Sequence, residues 1–199
     1  MCRFTVYKGY QISIGEVINE PENSLIYQSR QAHYHPGVED VDHMRNILVN
    51  ADGFGVAWYS TLVKSCCFRF VTPAWSNGNL KNIGEHIKSR LFFAHVRAAT
   101  SGHDLNEKMI VSLENCHPFK FGVYTMMHNG AIAEFSKIKL NLLNLISERS
   151  LHVGINGTTD SEHIFALFLF YLPKVRRLHT HKRTLCLSIF SCLLFSSLL

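Results

Sequence analysis

Leu91-Phe92-Phe93-Ala94-His95-Val96, continued by Arg97-Ala98-Ala99-Thr100-Ser101-Gly102, is the stretch on which the reading of the fold turns. Six residues of unbroken, largely apolar character suit a strand covered on both faces. Such a strand delivers Arg97, and then Thr100, at its exposed end. Upstream, Gly53 to Tyr59 and Cys66 to Val71 read as two strands joined by a turn. Arg3 to Tyr7 is short and strand-like, and a loop-rich stretch punctuated by Pro21, Pro36 and Gly37 is expected from there to about residue 50. Leu80, Ile83 and Ile87 recur at helical spacing and predict a helix over 79–89.

Downstream, Tyr124 to Met127 predicts another buried strand, ending in a turn at His128-Asn129-Gly130. Phe135, Ile138, Leu142 and Leu145 mark one face of a helix over 134–147. A last helix is announced by Thr159-Asp160-Ser161-Glu162, which has capping-box spacing with Thr159 at the cap, and Asp160 falls in its first turn. Strands interleaved with helices make the body α+β or α/β rather than all-helical.

The net charge of +5 over 199 residues points to nucleic acid only until it is located. Lys174, Arg176, Arg177, Lys182 and Arg183 all lie in the tail, which has no Asp or Glu; without them fifteen basic residues face fifteen acidic ones. The body therefore carries no compositional case for nucleic-acid binding. None of the six cysteines stands in a CxxC pair and no secretory leader opens the chain, so a reducing, cytoplasmic setting is expected. In that setting the sequon Asn156-Gly157-Thr158 is not expected to be glycosylated. His33, His35, His43 and His117 with Cys116 lack zinc-ligand spacing, so neither a metal nor a cofactor is expected. Adjacent Cys66 and Cys67 read as buried small hydrophobes rather than a redox pair.

Met1-Cys2 is the chemically suggestive start, since Met before a small side chain is removed during maturation. Removal leaves a thiol and a free α-amine on one residue. An α-amine with a pKa near ~8 can serve as base for its own thiol, with no histidine needed. Alone this is a weak signal, and four further segments strengthen it. Arg97, at the end of a buried run, offers a planar fork suited to a carboxylate. Asn115 to Phe119 reads NCHPF. Met126 to Ile132 reads MMHNGAI, where a turn after a buried strand presents a side-chain amide and a backbone N–H that together can hold an oxyanion. Gly157 to Glu162 reads GTTDSE.

An N-terminal Cys followed in order by HVRAATSG, NCHPF, HNGAI and TDSE resembles the glutaminase domain of class II glutamine amidotransferases, which are N-terminal-nucleophile hydrolases. The resemblance covers about residues 1–172. DGFGVAWY at 52–59, TPAW at 72–75 and AHVRAATSG at 94–102 are most similar to the branch that cleaves the γ-glutamyl bond of glutathione in the fungal-type pathway. It implies an α+β, four-layer αββα sandwich with two antiparallel sheets face to face. It implies Cys2 as nucleophile and an oxyanion hole from the Asn129 side chain and the Gly130 N–H. Arg97 would bind the α-carboxylate of the γ-glutamyl group and Asp160 its α-ammonium, with Thr100 nearby and His117 as site support. Glutathione or glutamine would be the substrate, and a separate metallopeptidase-like subunit the partner.

Beyond Leu172 the resemblance stops, and residues 173–199 run from basic to apolar. Leu185 to Leu199 is shorter than the ~20 residues of a membrane span, so membrane attachment is not expected. The fold is expected to be shortened at its C-terminal end. A catalytically silent form acting as a partner-binding subunit is the alternative.

Overall fold

The computed structural model describes residues 2–31, 49–61, 64–98 and 111–172. Four strands, β1 (Arg3–Ser13), β2 (Phe54–Trp58), β3 (Cys66–Phe70) and β4 (Lys88–Val96), form an antiparallel sheet in the order β1-β4-β2-β3. The apolar run is thus an inner strand, flanked by β1 with Arg3 opposite Val96 and by β2 with Phe54 opposite Val96. Its pleat sends Phe92, Ala94 and Val96 into one core and Phe93 into another. Unbroken hydrophobicity is the consequence of that two-sided burial, at about 1.5–3 kcal/mol for each large side chain removed from water.

The first core is shared with three helices, α1 (Gly15–Ile18), α2 (Leu25–Arg30) and α3 (Gly78–His86), through Ile14, Ile18, Leu25 and Leu80. The starts of α2 and α3 have local causes. Ser24 Oγ accepts the Tyr27 N–H at α2, and Asn77 Oδ1 accepts the Leu80 N–H at 2.9 Å at α3. Gly15 and Gly84 let α1 and α3 touch, since a Cβ on Gly15 would stand 3.0 Å from the Gly84 carbonyl oxygen.

The expected loop after Tyr7 is corrected here. β1 continues to Ser13, with an irregular register between Lys8 and Ile12, and α1 and α2 follow before residue 31. Lys8 to Gln11 are exposed, so this edge segment lacks the alternation by which strands are recognised. Pro36, Gly37, His33, His35 and His43 lie outside the described residues.

A second group of elements begins with the hairpin β5 (Phe119–Phe121) and β6 (Tyr124–Met126). It packs with α4 (Phe135–Ser147) and α5 (Asp160–Tyr171) around Phe119, Met126, Ile146, Phe165 and Leu169. Buried hydroxyls connect the hairpin to the main sheet. Tyr59 donates to the Val123 carbonyl at 2.9 Å, its oxygen lies 2.9 Å from Thr125 Oγ1, and Ser65 Oγ lies 2.8 Å from the same atom. Lys120 Nζ donates to the Ser65 carbonyl at 2.6 Å.

Two further expectations change. Cys67 is half-buried as the strand pattern requires, but Cys66 is exposed at the start of β3. The capping box at α5 is only half made. Thr159 Oγ1 accepts the Glu162 N–H at 3.3 Å, whereas the Glu162 carboxylate accepts from Asn156 N at 3.1 Å and Gly157 N at 2.7 Å. Its side chain organises the incoming loop instead of the cap.

Candidate active site

Cys2 stands immediately before β1, and the Arg3–Val96 pairing places it against the end of β4. Its Sγ lies 3.4 Å from the Ala98 N–H, which donates to it, and 3.4 Å from the Ala98 carbonyl, to which the thiol donates. Burial pushes the thiol pKa up, while the Ala98 N–H and the Arg97 charge pull it down. The net direction is upward, so burial favours the neutral thiol and these two groups offset it only in part.

The loop after β6 reaches the same place. Asn129 Nδ2 donates to the Cys2 carbonyl oxygen at 2.6 Å. Gly130 has φ of +155°, and a Cβ there would meet His128 Nε2 at 3.0 Å, so conformation and space both call for glycine. Further along, Ile132 N donates to Asp160 Oδ2 at 2.6 Å. The other carboxylate oxygen, Oδ1, accepts the Ser161 N–H at 2.7 Å and lies 3.2 Å from Ser161 Oγ. His128 Nδ1 is 2.9 Å from that same Ser161 Oγ. The first turn of α5 thus grips the loop on both sides of Asn129-Gly130.

Arg97 follows Val96, half-buried, with its backbone fixed by the start of β2: its N–H donates to the Gly53 carbonyl at 2.8 Å and its carbonyl accepts from Asp52 N at 3.1 Å. Gly53 adopts φ of +114°, and a Cβ there would meet Cys116 Sγ at 2.5 Å. Thr100 lies outside the described residues.

The NCHPF segment is built inward. Asn115 Oδ1 accepts Thr158 N at 2.8 Å and its amide donates to Thr158 Oγ1 at 3.1 Å, joining this segment to the approach of α5. Arg69 Nη1 donates to the Cys116 carbonyl at 2.9 Å. His117 stacks on His95 at 4.3 Å and lies 4.3 Å from Phe119. No hydrogen bond of ordinary geometry reaches a ring nitrogen of either histidine among the described residues. Burial lowers both pKa values, that of His95 to about 3, with the His128 backbone offsetting the latter only in part. Both rings are therefore neutral at physiological pH.

Among the expected site residues, hydrogen bonds join Cys2 to Asn129 directly and to the strand end that carries Arg97. They tie Asp160 to Ile132, in the loop that bears Asn129 and Gly130. The His117 ring has no such bond to any of them. Sequence reasoning does not single out the Ala98 N–H, whose signal is its place two residues past a strand end, nor the His128–Ser161 contact. Among the described residues no group of three or more His, Cys, Asp or Glu is placed to hold a metal ion. No described helix is long and apolar enough to cross a membrane.

The thiol at the head of β1 is thus met by the Asn129-Gly130 loop. The chain belongs to the class-II glutamine amidotransferases, whose family profile matches residues 42–191. More particularly, it is 42% identical over 181 residues to the probable glutamine amidotransferase DUG3 of Saccharomyces cerevisiae, covering 88% of this chain and 46% of that protein. It is 26% identical over 132 residues to the gamma-glutamyl-hercynylcysteine sulfoxide hydrolase of Mycolicibacterium smegmatis, covering 66% of this chain and 52% of that one. Among solved structures it is similar to a glutamine aminotransferase class-II domain protein from Silicibacter pomeroyi. There the TM-score is 0.53 and the identity 25%, over 85% of this chain and 55% of that chain. The chain thus spans about half the length of the relatives it matches.

Proposed function

We propose that this chain hydrolyses γ-glutamyl amide bonds, glutathione or glutamine being the substrate, with Cys2 as nucleophile once Met1 is removed. The observation that carries the reading is the meeting of Cys2 with the Ala98 N–H and the Asn129 amide, three segments brought together from positions 2, 98 and 129. The family membership and the γ-glutamyl chemistry in the name of the mycobacterial relative support it.

In this reading Arg97 binds the α-carboxylate and Asp160 the α-ammonium of the γ-glutamyl group, with Thr100 beside them. The α-amine of Cys2 takes the thiol proton, and Sγ bonds to the δ-carbonyl carbon. The carbonyl electron pair moves to oxygen, held by Asn129 Nδ2 and the Gly130 N–H. As the tetrahedral centre collapses, the C–N bond breaks and the α-ammonium returns its proton to the leaving amine. Water, deprotonated by the same amine, then attacks the thioester and releases glutamate and the free thiol. His117 and His95, neutral and buried, support the strand end that carries Arg97.

The finer architecture belongs to the same proposal. Helices α1–α3, the main sheet, the β5–β6 hairpin and α4–α5 are the beginnings of the αββα layers, which is consistent with separate cores on the two faces of β4. Among the described residues Cys2, Cys66, Cys67 and Cys116 are free thiols.

The test starts with mass spectrometry of the purified chain to establish loss of Met1. Glutathione and glutamine are then offered, and glutamate release is measured. A glutamine-like diazo-ketone should alkylate Cys2 and leave Cys2→Ser unlabelled. Retention of Met1, or a folded protein that neither labels nor turns over either substrate, would sink the proposal.

A further inference from the structure

The loop of residues 127–132 is fastened at three points, and two of them lie on consecutive residues of α5. Asn129 is held by Cys2, Ile132 by Asp160, and His128 by Ser161. Ser161 is itself buried and its hydroxyl sits between the imidazole and the Asp160 carboxylate.

Counting protons decides how this bridge works. A carboxylate only accepts, and a serine hydroxyl has one proton to give. With Asp160 Oδ1 3.2 Å from Ser161 Oγ, placing that proton elsewhere would set two oxygen lone pairs against each other. The hydroxyl therefore donates to Asp160, and the bond at 2.9 Å must be supplied by a proton on His128 Nδ1. Burial disfavours a second proton on the ring, with Asp160 opposing this in part. The other nitrogen, Nε2, lies against Gly130.

We propose that His128 is a positioning residue, locked as its Nδ1–H tautomer by the Ser161–Asp160 bridge, and that this lock holds the Asn129-Gly130 turn in register with Cys2. The consequence for catalysis rests on the γ-glutamyl hydrolase reading above; the tautomer and the bridge do not. Because the turn would carry the donors for the developing oxyanion, loosening it affects the transition state more than substrate binding. Asp160 keeps its bond to Ile132 when Ser161 loses its hydroxyl, so ground-state binding is largely spared.

Nitrogen-15 NMR of histidine-labelled full-length protein reads the tautomer directly, with His128→Asn used to assign the signal. The expected result is Nδ1–H for His128, shifting toward a tautomer mixture in Ser161→Ala. In steady-state assays Ser161→Ala should lower kcat about tenfold with KM within about twofold. His128→Asn, whose amide can place a donor at the Nδ1 position, should retain kcat within about threefold, and His128→Gln, which moves it, should lose about tenfold. Thermal melts of each variant report folding separately. An Nε2–H tautomer in the wild type, or equal kinetics for the Asn and Gln variants, overturns the inference. Absence of any γ-glutamyl turnover in the wild type defeats the functional reading alone, and the NMR result then decides the bridge by itself.

Discussion

Two histidine-bearing loops flank the β5–β6 hairpin, and they use the same side chain in opposite ways. Before β5, His117 has its ring between His95 and Phe119 and its backbone carbonyl against Gly55, with no hydrogen bond of ordinary geometry to the ring among the described residues. After β6, His128 is half-buried and bonded to Ser161, and its neighbour Asn129 reaches Cys2. Burial removes charge from the first ring and leaves it as packing. Partial burial with a polar partner fixes the orientation of the second. What separates the two rings is the hydroxyl within reach of His128, a property of the fold and not of the residue type.

The contrast breaks most readily at Asn129. Asn129→Ala should lower kcat about 10²–10³-fold, equivalent to about 2.7–4 kcal/mol, with little change in melting temperature. Steady-state kinetics beside a thermal melt check this, and a variant that unfolds instead would erase the distinction between the loops. The converse holds on the other side. His117→Ala should cost about 2–4 kcal/mol of stability through the cavity it leaves, while the folded fraction keeps its turnover number. Urea titration and active-site labelling of the surviving fraction separate the two effects.

A third effect is graded by pH. His95 takes its proton at about 3 when folded and near 6.5 when unfolded. Between these values the unfolded chain binds the proton and the native one does not. Stability is therefore complete above about 6.5 and falls as the pH drops, by about 1.4 kcal/mol per unit for this group alone. Urea midpoints should be nearly level from pH 7.5 to about 7 and approach that slope below about 5.5, and His95→Leu should reduce the slope by its own share, His117 contributing in the same direction. The smallest effect belongs to the exposed pair Lys137–Glu134 at the start of α4. Lys137→Met should alter stability by less than about 0.5 kcal/mol. A larger loss in a melt would mean that the site loop leans on its surface charges.

Elements with an unbroken apolar run or a clear helical period are legible in the amino-acid sequence: Leu91–Val96 within β4, the β2–β3 pair, and helices near 79–89 and 134–147. Edge position hides the second half of β1, because exposed residues Lys8 to Gln11 have no inward face to alternate. Brevity hides β5, whose three residues carry too little pattern. The motifs around Cys2, Arg97, Asn129 and Asp160 stand out as residue types, and the fold joins Cys2 to Asn129 by a direct bond. The His128–Ser161 contact spans 33 positions and leaves no local spacing to recognise. Glu162 misleads for a related reason. Its spacing fits a cap, but two amides in the preceding loop compete successfully for its carboxylate.

The pairing of Arg3 with Val96 has a consequence in time as well as in space. More than ninety residues separate these partners, so among the described strands β1 meets its neighbour only once β4 has been made. At about 5–20 residues per second, that interval is roughly 5–20 s of synthesis. The proposed role of Cys2 requires loss of Met1, and pairing of β1 with β4 is what sets Cys2 against Ala98.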